Sequence, residues 1–386
     1  MNEFELAFHI DKIARLKHLG KCEELRTYVS KQPNDIKAQL NVWVSQVLSR
    51  LQNDDIKDKL PLANQHSIDG WQAFYGHDYH QALDLFNQAM NESNWQQATP
   101  DSSLGVAKVY TRTGHWQLAK AWCLYYLTLA RRSLCHFDMA KGYGALAEIF
   151  LRANAPKEAL GCFQMAYHLM PLQSGQKARQ YNFMASALLR HGEFLRAEAL
   201  LYSSHQEIER ALLVEPELVE YQAGLLHSQM RFSFLAVLSG GAVSPFVDLD
   251  NINQASAVGL KTMPSGMLWV VHGIYSLSQN DLKKASDEFY QAMMIFEGRL
   301  LFEYLWASRL YQYCQKIQGT DYQVCDTTVK KAQAVFGIEQ INPPQTPIVF
   351  DQTWQNVELH NQGFVQLLQD DLDKQALIDV WQQFFI

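Results

Sequence analysis

The chain has 386 residues, 48% hydrophobic, 12% aromatic and 19% charged, which is enough apolar material for a large core and too much for a disordered chain. Its 20 glycines and 11 prolines exclude collagen-like and low-complexity sequence. With 33 Lys+Arg against 40 Asp+Glu the net charge is −7, which argues against a protein built to coat nucleic acid.

The first twenty residues carry Glu3, Glu5 and Asp11 and lack a basic stretch followed by an apolar one, so no secretory signal is expected. The longest apolar stretch, Met267 to Leu277, is interrupted by His272 and is too short for a membrane span. Cys22, Cys123, Cys135, Cys162, Cys314 and Cys325 form no C-x-x-C pair and have no His at zinc-finger spacing. They read as reduced, partly buried thiols of a cytoplasmic protein. No metal and no cofactor is expected.

Apolar residues recur at spacings of three and four, and alternating strand patterns are nearly absent, so the chain is predicted to be all-α. Residues 1–62 read as N-terminal helices, within which Leu19–Asp35 looks like a shortened copy of the segment repeated in residues 63–298. That segment recurs as GHDYHQALDLFNQAM (Gly76–Met90), GHWQLAKAWCLYY (Gly114–Tyr126), NAPKEALGCFQMAYHLMP (Asn154–Pro171), GEFLRAEALLYSS (Gly192–Ser204) and NDLKKASDEFYQAM (Asn280–Met293). An irregular insertion is predicted near 211–262, with a protruding loop at Ser239–Asn251. A helical pair is predicted over 299–336, as Phe302–Ile317 and Tyr322–Phe336. The prolines of Gly337–Phe350 then predict an extended linker, and two capping helices are expected over Asp351–Leu368 and Asp371–Phe385.

The repeated segment resembles the tetratricopeptide repeat. In that family's 34-residue unit the eighth residue is small, the twentieth Ala, the twenty-fourth large and apolar, the twenty-seventh Ala and the thirty-second Pro. Ala82, Ala119, Ala159, Ala197 and Ala285 align at the twentieth position, and Gly70, Ala107, Ala147, Ala185 and Gly273 at the eighth. Phe86, Cys123, Phe163, Leu201 and Phe289 align at the twenty-fourth, and Ala89, Tyr126, Ala166, Ser204 and Ala292 at the twenty-seventh. Trp269 takes the family's fourth-position Trp and Pro171 its closing Pro. The Ala-to-Ala spacings of 37, 40, 38 and 88 exceed 34 per repeat, so helices or loops are extended and one unit is degenerate. The resemblance implies a right-handed superhelical solenoid of antiparallel helix pairs, with small residues letting the helices cross closely and the twenty-fourth residue filling the space between units.

It also implies a function. In the family the first helix of each unit lines a concave groove that binds protein segments. Transferring the groove positions selects Lys108 and Arg112, then Lys141, Glu148 and Arg152, then Arg179, Asn182 and Arg190 as peptide-binding residues. Residues 101–200 hold 12 Lys+Arg against 6 Asp+Glu, a net +6 in a chain that carries −13 elsewhere, so an acidic peptide is the expected partner. Arg112, Arg152 and Arg190 stand near helix C-termini, where a cation is favoured by the helix dipole whatever the protein binds. Trp71, Phe74 and Tyr75 are either an apolar anchor in the groove or part of the core. The carboxylate-clamp pattern of chaperone-binding relatives, a Lys and two Asn, is not reproduced.

Other chemistry has weak signals. Gly142-x-Gly144-x-x-Ala147 matches a dinucleotide fingerprint by letter but sits inside a first helix, where it reads as packing. Asp248–Asn253 begins like a calcium loop, with Ile252 where an oxygen ligand is required. His77, His80 and His115, near the turns, read as solvent-facing. The expectation is a non-catalytic scaffold with neither nucleic acid nor membrane as partner. The alternative is a peptide-gated receptor resembling the Rap and NprR group, and there is a weaker likeness to bacterial regulators that carry such repeats. An enzyme built on the Ser239–Asn251 loop is a third reading. Residues 341–386, net −5, are expected either to fold back on the basic middle or to cap the last repeat.

Overall fold

The computed structural model describes His9 and residues 22–34, 62–93, 100–132, 136–169, 174–214, 219–239, 263–298, 300–320, 322–324 and 326–344, and parts of 354–380. Among these residues regular structure is helical throughout, and no strand occurs. After α1 (Cys22–Ser30) the helices run as antiparallel pairs: α2 (Leu62–Tyr75) with α3 (Tyr79–Glu92), α4 (Pro100–Arg112) with α5 (Trp116–Arg132), α6 (His136–Arg152) with α7 (Pro156–Leu169), and α8 (Ser174–His191) with α9 (Phe194–Val214). Then α10 (Val219–Leu238) packs on α8 and α9, α11 (Met263–Ser278) pairs with α12 (Leu282–Phe296), and α13 (Leu301–Ile317) packs on α12 and on α14 (Asp326–Phe336). A short α15 (Lys374–Asp379) rests on α13. The predicted solenoid of helix pairs is the fold of the protein.

The same turn joins the two helices of five units. His77, Gly114, Asn154, Gly192 and Asn280, each five residues before the aligned Ala, adopt φ between 58° and 81°. That left-handed conformation is open to Gly and tolerated by Asn and His, which explains the Gly, Asn or His of the sequence motif. In the first copy the strained position falls to His77, one residue beyond Gly76. Each turn is closed by a backbone bond across it, Asp78 to Ala73, His115 to Tyr110, Ala155 to Phe150, Glu193 to Leu188 and Asp281 to Ser276, so the carbonyls that end one helix are satisfied before the next begins. Asp78 and Asp281 then cap α3 and α12 through the amides of Gln81 and Lys284.

Small and large residues interlock as the resemblance requires. All five aligned alanines are fully buried, as are Phe86, Cys123, Leu201 and Phe289, and Phe163 is 1% exposed. A methyl group on Gly70 would stand 2.7 Å from the Phe86 ring and one on Gly105 only 2.3 Å, so Phe86 is gripped between its own unit and the next. Gly273 stands against Phe289 in the same way. Gly142 is a contact point too, with Leu127 at 2.5 Å from any added methyl, while Gly144 faces open space. Pro171 and all of the Ser239–Asn251 loop but Ser239 lie outside the described residues.

Two expectations are corrected at the far end. The described part of the supposed linker is packed: Ile338 is 3% exposed, the Tyr110 hydroxyl donates to the Glu339 carbonyl at 2.8 Å and accepts from the Ile341 amide at 2.6 Å, and Trp122 donates to the Ile341 carbonyl at 2.7 Å. Proline removed helix here, but aromatic donors on α4 and α5 took up the freed backbone. The helix expected over Asp351–Leu368 is interrupted, because residues 357–361 are not helical. There the Val357 carbonyl accepts from Lys120, Asn361 donates to the Gly114 carbonyl, and Trp354 meets the Tyr143 ring edge-on. The described stretches at 339–341 and 354–361 thus lie against α4 to α6, held largely through the backbone, while α15 caps α13, whose Trp306 donates to the Leu377 carbonyl. His115, expected in solvent, is 9% exposed, bonded to Thr113 and stacked on Phe336, and burial lowers its pKa.

Tyr110→Phe deletes both hydroxyl bonds to the 339–341 backbone and should cost about 1–2 kcal/mol. Hydrogen exchange at the amides of residues 338–342 should accelerate, and unchanged exchange would show that Tyr110 does not hold the segment. Burial, assisted by the Glu339 charge and opposed by the Ile341 hydrogen bond, raises the Tyr110 pKa to about 12. Its contribution is therefore complete below the ordinary tyrosine value of about 10 and is lost as pH rises through the folded value.

Candidate functional site

Three units place an arginine at the same point, the last turn of the first helix: Arg112 on α4, Arg152 on α6 and Arg190 on α8. Because successive units stack with little rotation, these side chains form a ladder along one face. The rungs are joined. Arg190 donates to the carbonyl of Leu151 in the last turn of α6, so it serves the C-terminus of the neighbouring unit's helix as well as its own. Arg152 is 3% exposed and lies 3.6 Å from Glu148, one turn earlier on α6. Glu148 also pairs closely with Lys108 of α4. Arg112 reaches 3.6 Å from Glu303 on α13, a residue almost two hundred positions away. The array therefore curves far enough to bring α13 onto α4, and there the ladder is neutralised from within.

The electrostatics follow from this arrangement. Burial by itself would raise the Glu148 pKa, but the charges of Lys108, Arg112 and Arg152 and the Lys108 hydrogen bond hold it well below the usual carboxylate range. Burial and the charge of Arg112 lower the Arg152 pKa to about 10, with Glu148 and Glu303 opposing. For Arg112 burial works against the charge, yet Glu148 and Glu303 leave its pKa raised.

Further along, the balance changes sign. On α8, Arg179 sits one turn before Phe183 with its guanidinium 5.4 Å from the ring centre, and Arg231 of α10 approaches the same ring at 5.8 Å. The Phe183 ring also stacks on Phe163, with 5.2 Å between ring centres. Arg231 is 1% exposed; its Nε donates to the Ser186 hydroxyl and one Nη to the His227 carbonyl at 3.1 Å, while its second Nη has no partner. Asn182, one turn before Ser186, is 3% exposed, and its side-chain oxygen has no partner either. Burial, then the charge of Arg179, brings the Arg231 pKa down to about 9. Burial, then Arg231 and Arg179, pushes His227 well below its ordinary value, so it is neutral.

The residues singled out from the sequence thus fall into three places. Lys108, Arg112, Glu148 and Arg152 form one network with Glu303. Asn182, Arg179 and Arg190 belong to the α8 face beside Arg231. Lys141 stands apart, 4.0 Å from Asp138 on its own helix. Trp71 and Phe74 belong to the core, with the Trp71 indole donating to Asp101 at 2.8 Å, and Tyr75 is 63% exposed. Arg231, His227 and Glu303 escaped the sequence reading. The first two lie in the irregular unit, which has no aligned Ala to set its register, and Glu303 lies in the pair after the last clear repeat. A helical run with a buried-looking Arg-Phe-Ser-Phe at 231–234 was the one available signal. Among the described residues no group of His, Cys, Asp and Glu could hold a metal ion, and no helix is long and apolar enough to cross a membrane.

No protein-family model and no curated protein matches the chain. Among solved structures it is similar to the crystal structure of Rap protein complexed with competence and sporulation factor, at 12% identity and a TM-score of 0.50, over 86% of this chain and 100% of that one. At that identity the likeness is one of fold, and the fold it supports is a helical-repeat solenoid of the tetratricopeptide-like kind.

Proposed function

We propose that the protein is a peptide-binding helical-repeat scaffold without catalysis of its own, holding an extended, partly acidic segment against the first helices α8 and α10. The observation that carries this reading is that buried polar atoms on these two helices have no hydrogen-bond partner, among them the Asn182 oxygen and an Arg231 Nη. Buried polar groups are almost always satisfied, so helices that leave a buried donor and a buried acceptor unmet are complementary to a chain that brings partners for both. The positive charge of the middle units adds attraction for acidic sequence. The similar Rap protein was crystallised with a bound factor, which agrees with a binding role for this architecture. The cations of α4 and α6, already matched by Glu148 and Glu303, serve the fold first and the partner second.

A pool of short synthetic peptides of random sequence, passed over immobilised protein and eluted for mass spectrometry, tests this. Retained peptides should be enriched in Asp and Glu, should be released by salt, and should fall to the level of blank resin with Asn182→Ala. Retention by the wild type no greater than by blank resin would overturn the proposal.

A further inference from the structure

On α8 and α10 the two guanidiniums of Arg179 and Arg231 both lie against the ring of Phe183, 5.4 and 5.8 Å from its centre. Like charges so placed repel, and one of them is 1% exposed. The charge that bears on Arg231 is that of Arg179, another cation, and among the described residues no carboxylate forms an ion pair with either. The hydrogen-bond partners of Arg231 are neutral: the Ser186 hydroxyl and the carbonyl and ring of His227. Arg190 and, beyond it, Arg152 add positive charge on the near side. A buried cation lacking a counter-charge is costly and is ordinarily paired. The contrast with α4 and α6 is informative, because Glu148 and Glu303 meet the cations there, and among the described residues no carboxylate does so here.

We propose that Arg179 and Arg231 form a receptor for a carboxylate of the bound peptide, either an acidic side chain or the chain terminus. The inference rests on the peptide-binding reading and names what that site selects. A guanidinium offers planar paired donors that match a carboxylate, and the unpartnered Nη of Arg231 is one such donor already desolvated. Free phosphate shares this anionic chemistry. The Asn182 oxygen is a buried acceptor that the N–H accompanying a peptide carboxylate would meet, and the comparison of succinate with inorganic phosphate separates the two sources.

Thermal unfolding in sodium succinate, inorganic phosphate and sodium chloride at matched ionic strength tests the receptor without any peptide. Succinate should raise the wild-type Tm by about 2 °C or more over chloride. In Arg179→Gln, whose side chain is exposed, the chloride Tm should not fall, because a repulsion is removed, and the succinate rise should vanish. Arg231→Met should unfold in chloride no earlier than wild type, because an uncompensated buried charge has been removed, and should also lose the succinate rise. Equal Tm in succinate and chloride, a rise that survives Arg179→Gln, or a larger rise with phosphate would each overturn the proposal. Retained peptides are then compared in acid and amide form and with Glu or Asp replaced by Gln or Asn, to tell terminus from side chain. One of these changes should weaken binding about tenfold or more in wild type and not in Arg179→Gln. A succinate rise with no peptide ever retained would keep the receptor and refute the peptide reading. Peptide binding indifferent to both Arg179→Gln and carboxylate removal would do the reverse.

Discussion

Glu148→Gln is expected to destabilise the protein by about 3 kcal/mol, more than any other single change of charge along the ladder. The carboxylate stands among three cations: Lys108 in close contact, Arg152 at 3.6 Å, and Arg112 near enough to act through its charge. Glutamine preserves the volume and removes the charge, so Arg152, 3% exposed, faces Arg112 without the carboxylate nearest to it, and the charge of Glu303 offsets them in part. Breaking a buried pair in this way costs about 3–5 kcal/mol. The lower end applies because the side chains of Lys108 and Arg112 are 26% and 27% exposed and can turn to water. Urea unfolding checks the magnitude, and a loss below about 1 kcal/mol would mean that water already screens the network. A pH series checks the cause. The folded pKa of Glu148 is depressed, so its contribution is present above the ordinary carboxylate value of about 4.3 and is lost as pH falls below it towards the folded value. Wild type should lose stability over that acid range, and the variant should start lower and lose less.

Phe86→Ala is expected to cost about 3–5 kcal/mol, with most of the loss felt in α2 to α4. The ring is fully buried between Gly70 and Gly105, and neither glycine has a side chain that could move into the space. Collapse is therefore limited and the cavity penalty adds to the lost transfer energy. Gly105→Ala alone should also destabilise, by about 1–3 kcal/mol, because its methyl would meet the ring at 2.3 Å. Together the two changes should not add. In the Phe86→Ala background the methyl enters empty space and alanine favours helix over glycine by about 1 kcal/mol, so the second substitution should turn neutral or favourable. Additive losses would show that Phe86 is not the wedge between these units. Hydrogen exchange is the suitable readout alongside denaturation, since contacts in a repeat array are mostly between neighbours and local loss need not spread.

These two sites differ in how far the sequence foretold them. The wedge was legible, because Gly70, Ala82, Phe86 and Ala89 recur in register with four later units, and a pattern set by contacts within one unit or to the next leaves its mark every forty residues or so. The turns were legible in type: Gly, Asn or His marks a left-handed residue, and only the first copy, where His77 and not Gly76 takes the strain, needed coordinates. His115 was misread because turn residues are usually wet, and the covering ring, Phe336, lies more than two hundred residues away.

By itself, the sequence determined the helix pairs, their close crossings and the positive middle of the chain, since these follow from local periodicity, side-chain size and charge. It could also place Arg112, Arg152 and Arg190 at one repeated position. What tertiary structure alone decided was which of those cations are already matched. Glu303 arrives on α4 because the superhelix curves, Arg231 arrives beside Arg179 from a unit with no repeat signature, and the tail crosses α4 and α5 through backbone bonds that carry no residue code. Charge along a chain counts ionisable groups, whereas the presence of a carboxylate within a few ångströms depends on curvature summed over many units, and among the described residues that sum separates the carboxylate-paired cations of α4 and α6 from Arg179 and Arg231.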